Sequence, residues 1–174
     1  MDPYRLPDTV VPGRYELTLR PDLDAAVFTG EVRIHVRLRR GVEEIWLNAA
    51  ELDIFRADCH VDGQKLATRI HLDGETERCC LRPERAVGPG DAILHLCFRG
   101  TLNDQLRGFY RCRYRSADGA SRWLAATQFE ATDARRAFPC WDEPAFKAVF
   151  STTLVIPAHL QAISNSRLLS EQRE

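Results

Sequence analysis

The amino-acid sequence predicts an all-β fold, an antiparallel β-sandwich with one short helix near residues 131–137. The first observation is an alternation of apolar and polar residues, which is typical of strands that bury one face. The second is the regular spacing of turn residues between these segments. The third is the near absence of helical periodicity. Many short strands separated by turns indicate two packed antiparallel sheets.

Three segments show the alternation most clearly. In residues 15–20, YELTLR, the first, third and fifth side chains are apolar and the others are polar. Residues 31–39 and 92–99 repeat this pattern, so we predict three strands that each bury one face. The predicted inward-facing residues are Tyr15, Leu17 and Leu19, then Val32, Ile34, Val36 and Leu38, then Ala92, Leu94, Leu96 and Phe98.

Shorter apolar runs predict further strands at residues 45–47, 52–54, 66–72 and 79–81. Residues 107–114 and 122–129 are predicted to pair as a hairpin. Asp and Gly favour turns because Asp hydrogen-bonds its own backbone and Gly adopts a positive φ without strain. The predicted turns are Asp62-Gly63, Asp73-Gly74, Gly88-Pro89-Gly90 and Asp118-Gly119.

Helical signal is confined to residues 131–137, where about two turns fit before Pro139. Thr127 is followed three residues later by Glu130, which matches a capping box. In that motif the hydroxyl and the carboxylate bind free N–H groups at the start of a helix. This spacing gives Glu130 a structural role, and a ligand-binding role for it stays open.

The composition limits the partners that we expect. A chain of 174 residues predicts a single domain over residues 1–174. A net charge of −1 gives no field that attracts nucleic acid or an anionic membrane. No apolar run approaches the roughly 20 residues of a membrane span, and the first residues lack the apolar segment of a secretion signal. We therefore expect a cytoplasmic protein that binds neither nucleic acid nor membrane.

Cysteine and histidine spacing gives no pattern for a metal site. The six cysteines include no Cys-x-x-Cys pair, and the five histidines include no His-x-x-x-His pair. His35 and His95 fall on the polar sides of their strands, so we expect them to be solvated. No serine occupies a Gly-x-Ser-x-Gly elbow. The sequence therefore predicts structural thiols, no metal ligand and no catalytic residue.

Residues 127–150, TQFEATDARRAFPCWDEPAFKAVF, resemble the signature that closes the amino-terminal domain of the zinc-dependent aminopeptidases of the aminopeptidase N and puromycin-sensitive aminopeptidase family. Residues 6–23, LPDTVVPGRYELTLRPDL, resemble the opening strand of that domain, and FTGEVRIHV resembles its second strand. GFYRCRY and LAATQFE resemble a later hairpin. The resemblance covers essentially the whole chain and implies the saddle-like β domain of this family.

The resemblance also implies roles for three residues. Glu130 would bind the free α-ammonium of a peptide substrate, and Gln128 would line the pocket for its first side chain. Phe129, between them, would point back into the core. The ion-pairing residues Arg135, Arg136, Asp142 and Glu143 are expected only to hold the loop, with Pro139 and Pro144 stiffening it.

The parts of the family that perform hydrolysis are missing from the sequence. It contains no His-Glu-x-x-His motif, and its only methionine is Met1, so no Gly-x-Met-Glu-Asn strand occurs. The resemblance therefore implies a substrate-anchoring domain, truncated before its last strands and the catalytic domain, that is inactive alone. Its partners would be peptides with free amino termini and the missing catalytic domain, which would hold the zinc. The alternatives are a stand-alone β-sandwich binding module and a family member that hydrolyses epoxides.

Overall fold

The computed structural model describes residues 5–173, and their regular secondary structure is almost entirely strand. One turn of 3₁₀ helix, Ala134–Arg136, is the helical element of the described chain. The strands are β1 (Val10–Asp22), β2 (Val27–Leu38), β3 (Ile45–Asn48), β4 (Leu52–Val61), β5 (Gln64–Asp73), β6 (Arg78–Pro83), β7 (Gly90–Thr101), β8 (Gly108–Arg115), β9 (Ser121–Gln128) and β10 (Val149–Leu154).

Eight strands form one sheet in the order β10-β1-β2-β7-β4-β5-β6-β3, and β8 and β9 form a separate hairpin. Neighbouring strands pair antiparallel except β1 and β10, which are parallel. The predicted all-β class and the antiparallel pairing of the first nine strands are confirmed. The strand β10 was not predicted.

The large sheet turns over on itself at β5. The first part of β5, residues 64–67, pairs with β4, whereas residues 68–73 pair with β6. Apolar side chains from both resulting layers belong to one buried cluster, which includes Ile34 and Phe98 from one layer and Ile45 and Leu81 from the other. This arrangement is the sandwich that the sequence predicted.

The alternating segments bury the faces that were predicted. All eleven inward-facing residues named from the alternation in β1, β2 and β7 are buried. Their outward-facing neighbours include Arg33, Arg37 and Arg99, which are exposed. The period-two pattern identified these strands because each has one apolar, buried face and one more polar, less buried face.

The helix prediction holds only in part, because the 3₁₀ turn is shorter than the predicted segment of residues 131–137. The capping box is wrong. Thr127 lies within β9 opposite Phe109, and the residue that precedes the 3₁₀ turn is Asp133. A strand partner from β8 therefore overrides the local helix signal.

Within residues 5–173, the structure contains no helix with the length and apolarity that a membrane crossing requires.

Candidate functional site

The segment that follows β9 is positioned by the base of the β8–β9 hairpin. Gln128 ends β9 and pairs with Gly108 at the start of β8. Gly108 has a φ of +63°, and a Cβ at this position would lie 2.7 Å from the Cβ of Arg136. Only glycine allows both this backbone conformation and this close approach. The hairpin base therefore lies directly against the 3₁₀ turn.

Gln128, Phe129 and Glu130 are exposed where the chain leaves this hairpin. The backbone N–H of Asp133 donates to the carbonyl of Phe129 at 2.9 Å, which closes a turn around Glu130. The Glu130–Ala131 peptide bond is cis. Among the described residues, no hydrogen-bond or ion-pair partner is found for the Glu130 carboxylate. It is therefore free to bind a cation from solvent.

Phe129 does not enter the core as the resemblance implied. Its side chain is 36% exposed, and its ring lies edge-on against the buried Phe138, with 5.9 Å between ring centroids. Phe150, also exposed, contacts Phe138 at a centroid distance of 6.0 Å. We call Phe129, Phe138 and Phe150 the aromatic patch. It is a partly exposed apolar surface next to Glu130.

The ion-pairing residues form a network beneath the loop. The Arg136 guanidinium contacts three carboxylates: Nη1 lies 2.5 Å from Glu51, Nη2 lies 2.5 Å from Glu77, and Nε lies 2.8 Å from Asp133. The Arg136 side chain is only 11% exposed. Its charge is therefore balanced by acids from three different segments of the chain.

Arg135 extends the same network toward the end of the loop. Its Nε lies 2.9 Å from Asp142, and its Nη1 lies 3.2 Å from Glu77. The backbone N–H of Arg135 also donates to Asp142, at 3.3 Å. The prediction that Arg135, Arg136 and Asp142 hold the loop by ion pairs is confirmed. Glu143 instead accepts a hydrogen bond from the backbone N–H of Leu6 at 2.6 Å.

Backbone hydrogen bonds attach the loop to the sandwich. Asn48 at the end of β3 exchanges two backbone hydrogen bonds with Cys140, and its side-chain oxygen accepts from the N–H of Asp142 at 3.1 Å. The N–H of Trp141 donates to the hydroxyl of Tyr15 at 3.1 Å. These bonds fix the loop relative to β1 and β3, so the exposed segment Gln128–Glu130 stands on a rigid base.

A second group of polar side chains lies on the outward face of β2, β7 and β4. His95 on β7 is opposite Asp58 on β4, and Cys97 on β7 is opposite Glu31 on β2. The His95 side chain is only 13% exposed, so the expectation that it is solvated is wrong. Burial lowers the pKa of His95, and the nearby Arg33 and Arg56 act in the same direction, against the carboxylate of Glu31.

This outward face forms an open depression of about 950 Å³. Its wall and floor are contributed by β1, β2, β4, β5 and β7, and include Arg33, His35, Arg56, His60, Lys65 and His95.

Comparison with protein families decides the classification. The family model of the Peptidase M1 N-terminal domain matches residues 11–174. The chain belongs to this family. The M1 aminopeptidase resemblance seen in residues 127–150 is therefore confirmed for nearly the whole chain.

Relatives of this M1 N-terminal domain are full-length aminopeptidases. Aminopeptidase M1-C of Oryza sativa is 47% identical over 167 residues, which are 96% of this chain and 19% of the relative. Aminopeptidase M1 of Arabidopsis thaliana is 42% identical over 173 residues, 97% of this chain and 20% of the relative. Puromycin-sensitive aminopeptidase of Caenorhabditis elegans is 35% identical over 170 residues, which are 96% of this chain and 18% of the relative. The chain thus spans about a fifth of the length of these relatives.

Sequence reasoning missed two residues of the M1 N-terminal domain that the loop depends on. Glu51 and Glu77 lie just before β4 and β6, and both contact Arg136. Neither stands in a motif, and each is far from the loop in the sequence. A glutamate at the end of a turn is ordinarily a solvated residue, so no local signal identified them.

Proposed function

We propose that this domain anchors the free amino terminus of a peptide for the catalytic domain of an M1 aminopeptidase. The proposal rests on two properties of Glu130, the exposure of its side chain and the lack of a partner for its carboxylate among the described residues. The other acids of residues 127–148 are Asp133, Asp142 and Glu143, and each accepts a hydrogen bond within the loop or its support. Glu130 is exposed, and the described part of the chain gives its carboxylate no such partner.

The chemistry of an α-amino group suits such a carboxylate. An α-amino group has a pKa of about 8, so most of it is cationic near neutral pH. Charge-assisted hydrogen bonds to a carboxylate contribute about 1.5–3 kcal/mol each. A blocked amino terminus or an internal peptide amide carries no positive charge. One carboxylate therefore supplies a preference for free amino termini.

Gln128 is proposed to line the pocket for the first side chain of the peptide. It lies two residues before Glu130, at the exposed end of β9. Its backbone position is fixed by pairing with Gly108. Its amide can donate and accept hydrogen bonds, which suits contact with a substrate but gives it no role in bond cleavage.

Cleavage is proposed to take place in a catalytic domain outside this chain. The sequence has no His-Glu-x-x-His motif, so it does not supply the donor set that the resemblance implies for the catalytic zinc. The zinc would be held by the catalytic domain, and this domain alone would not hydrolyse peptides. Its contribution would be to hold the charged end of the substrate.

The aromatic patch supports a role beside another domain. Phe150 is 48% exposed and Val149 is 62% exposed, both at the start of the edge strand β10. Exposed apolar side chains grouped in this way are typical of contact surfaces. The patch adjoins Glu130 through Phe129, so a catalytic domain that covered it would lie next to the bound amino terminus.

A cytoplasmic location is proposed from the thiols. Cysteines Cys59, Cys79, Cys80, Cys97, Cys112 and Cys140 are all free. Free thiols are the usual state in a reducing compartment.

A domain exchange tests the proposal. Residues 11–174 would replace the matching region of rice Aminopeptidase M1-C, and release of amino acids from an unblocked peptide and its N-acetylated form would be measured. We expect hydrolysis of the unblocked peptide only. A folded chimera that fails on this peptide, while its parent cleaves it, would refute the anchoring role and favour a stand-alone binding module. Sequencing the gene downstream of the codon for Glu174 adds an independent test, because a reading frame that continues into a His-Glu-x-x-His motif is expected.

A further inference from the structure

The outward face of the sheet carries metal-binding side chains from three adjacent strands. His95 and Cys97 lie on β7, Asp58 and His60 lie on β4, and Glu31 lies on β2. The strand register puts Asp58 directly opposite His95 and Glu31 directly opposite Cys97. Because side chains at alternate positions share a face, all of these groups project from the same side of the sheet.

Two sets of three potential ligand atoms converge at His95. In the first set, one atom each from Asp58, His60 and His95 lie within 4.8 Å of one another. In the second set the same limit holds for Glu31, His95 and Cys97. From the Nε2 atom of His95, the distances are 3.8 Å to Oε2 of Glu31 and 3.9 Å to Sγ of Cys97. His95 is the residue that both sets share.

His60 and His95 line the depression, and Asp58 lies directly opposite His95 in the strand register. The Asp58 side chain is 8% exposed, and that of His95 is 13% exposed. Side chains that are held by packing lose little conformational freedom on coordination. The space of about 950 Å³ above them admits an ion with its remaining water ligands.

We propose that Asp58, His60 and His95 bind a divalent first-row transition metal ion in this depression. Two imidazoles and one carboxylate are a donor set that suits Zn²⁺ and its neighbours in the series. Glu31 or Cys97, which lie beside His95, can supply a fourth ligand. Any position left open faces the depression and solvent.

Two cations balance the charge of Asp58. Its Oδ2 atom lies 3.0 Å from Nε of Arg56 and 3.1 Å from Nζ of Lys65. Both basic side chains are about half exposed, so each of them can turn into solvent when an ion takes its place. Lys65 and Arg56 therefore compete with the ion for the same carboxylate. Removing one of them strengthens metal binding.

The test uses the 174-residue chain, freed of metal with EDTA and titrated with Zn²⁺ in a calorimeter. We expect one Zn²⁺ per chain, with binding weakened about tenfold or more in His60→Ala and in His95→Ala. The control variants His71→Ala and His159→Ala remove exposed histidines from other segments and should leave the affinity unchanged. Circular dichroism checks that each variant is folded.

The Lys65→Met variant distinguishes the proposed site from adventitious binding of Zn²⁺ elsewhere on the surface, because only a site at Asp58 is in competition with Lys65. Tighter Zn²⁺ binding in this variant supports the competition between Lys65 and the ion at Asp58. Unchanged affinity in Lys65→Met, unchanged affinity in His95→Ala, or loss of binding in His71→Ala would each overturn the proposal. The Cys97→Ser variant separates the two sets, because Asp58, His60 and His95 still bind Zn²⁺ after this change. Complete loss of Zn²⁺ binding in Cys97→Ser would also overturn the assignment.

Discussion

The carboxylate of Glu77 lies 2.5 Å from Nη2 of Arg136, and the pair joins parts of the chain that are 59 residues apart. Glu77 also contacts Nη1 of Arg135 at 3.2 Å. It therefore holds both arginines of the loop from the turn before β6. Because the arginines are nearly buried, this pairing is a structural part of the loop and not a surface contact.

Replacing Arg136 should destabilise the domain strongly. The Arg136→Ala variant leaves Glu51, Glu77 and Asp133 without their shared cation, and we expect a loss of about 3 kcal/mol in the free energy of unfolding. Urea denaturation measures this loss. The control is Arg37→Ala, which removes an exposed pair with Asp91 and should cost less than about 1 kcal/mol. Equal losses in the two variants would show that the network does not hold the loop.

Tyr15 should stabilise the loop through its hydroxyl. The ring is buried and stacks on Phe150 with 4.6 Å between centroids, while its oxygen accepts the N–H of Trp141. The Tyr15→Phe variant keeps the ring but leaves this N–H without its acceptor, so we expect a loss of about 1–3 kcal/mol on urea denaturation. A variant as stable as the native chain would mean that water replaces the hydroxyl.

Acid should remove stability that Asp58 contributes. Burial alone would raise the pKa of Asp58, but hydrogen bonds and charge from Lys65 and Arg56 lower it below its usual value. The folded state then binds fewer protons than the unfolded state, so stability is present above the unfolded-state pKa of about 3.9 and is lost as pH falls below it.

Unfolding of the native chain and of Asp58→Asn in urea between pH 3 and pH 7, with EDTA present, measures this effect. The native chain should be the more stable one at pH 7, and the difference should shrink toward pH 3. A difference that stays constant across this range would contradict the lowered pKa.

The buried cysteines should resist alkylation in the folded protein. Burial raises the pKa of Cys59 to about 11 and that of Cys79 to about 12, and it also raises the pKa of Cys140 well above its usual value. The thiolate is the reactive form, so these groups react slowly even where reagent can enter. Mass spectrometry after treatment with N-ethylmaleimide should show labels first on the partly buried Cys97 and Cys112. Rapid labelling of Cys79 in the native state would contradict this arrangement.

The fold could be predicted where one strand face is apolar. Strands β2 and β7 could be predicted directly from their alternation, because each buries one side fully and leaves the other side partly or fully accessible to solvent. Strand β10 could not be read in this way. Its residues, VFSTTL, do not alternate, most of them are exposed, and its partner β1 lies more than a hundred residues earlier in the chain.

Residues of the site could be predicted only where a motif or a local spacing in the sequence identified them. Gln128 and Glu130 were selected from the signature of residues 127–150, and the loop ion pairs from their spacing. The capping box failed because Thr127 belongs to a hairpin whose partner strand is not visible in local spacing. The cluster around His95 was missed because Glu31, Asp58 and His95 come together only through strand register.

The most direct test concerns the Glu130 carboxylate in an active enzyme that carries this domain. The measurement is kcat/KM for an unblocked peptide, with Glu130→Ala compared with the native residue and with Glu75→Ala, a change of an exposed acid in a distant turn. We predict a fall of about 30-fold for Glu130→Ala, which corresponds to about 2 kcal/mol of lost ion pairing, and no change for Glu75→Ala. An unchanged kcat/KM in Glu130→Ala would contradict the account.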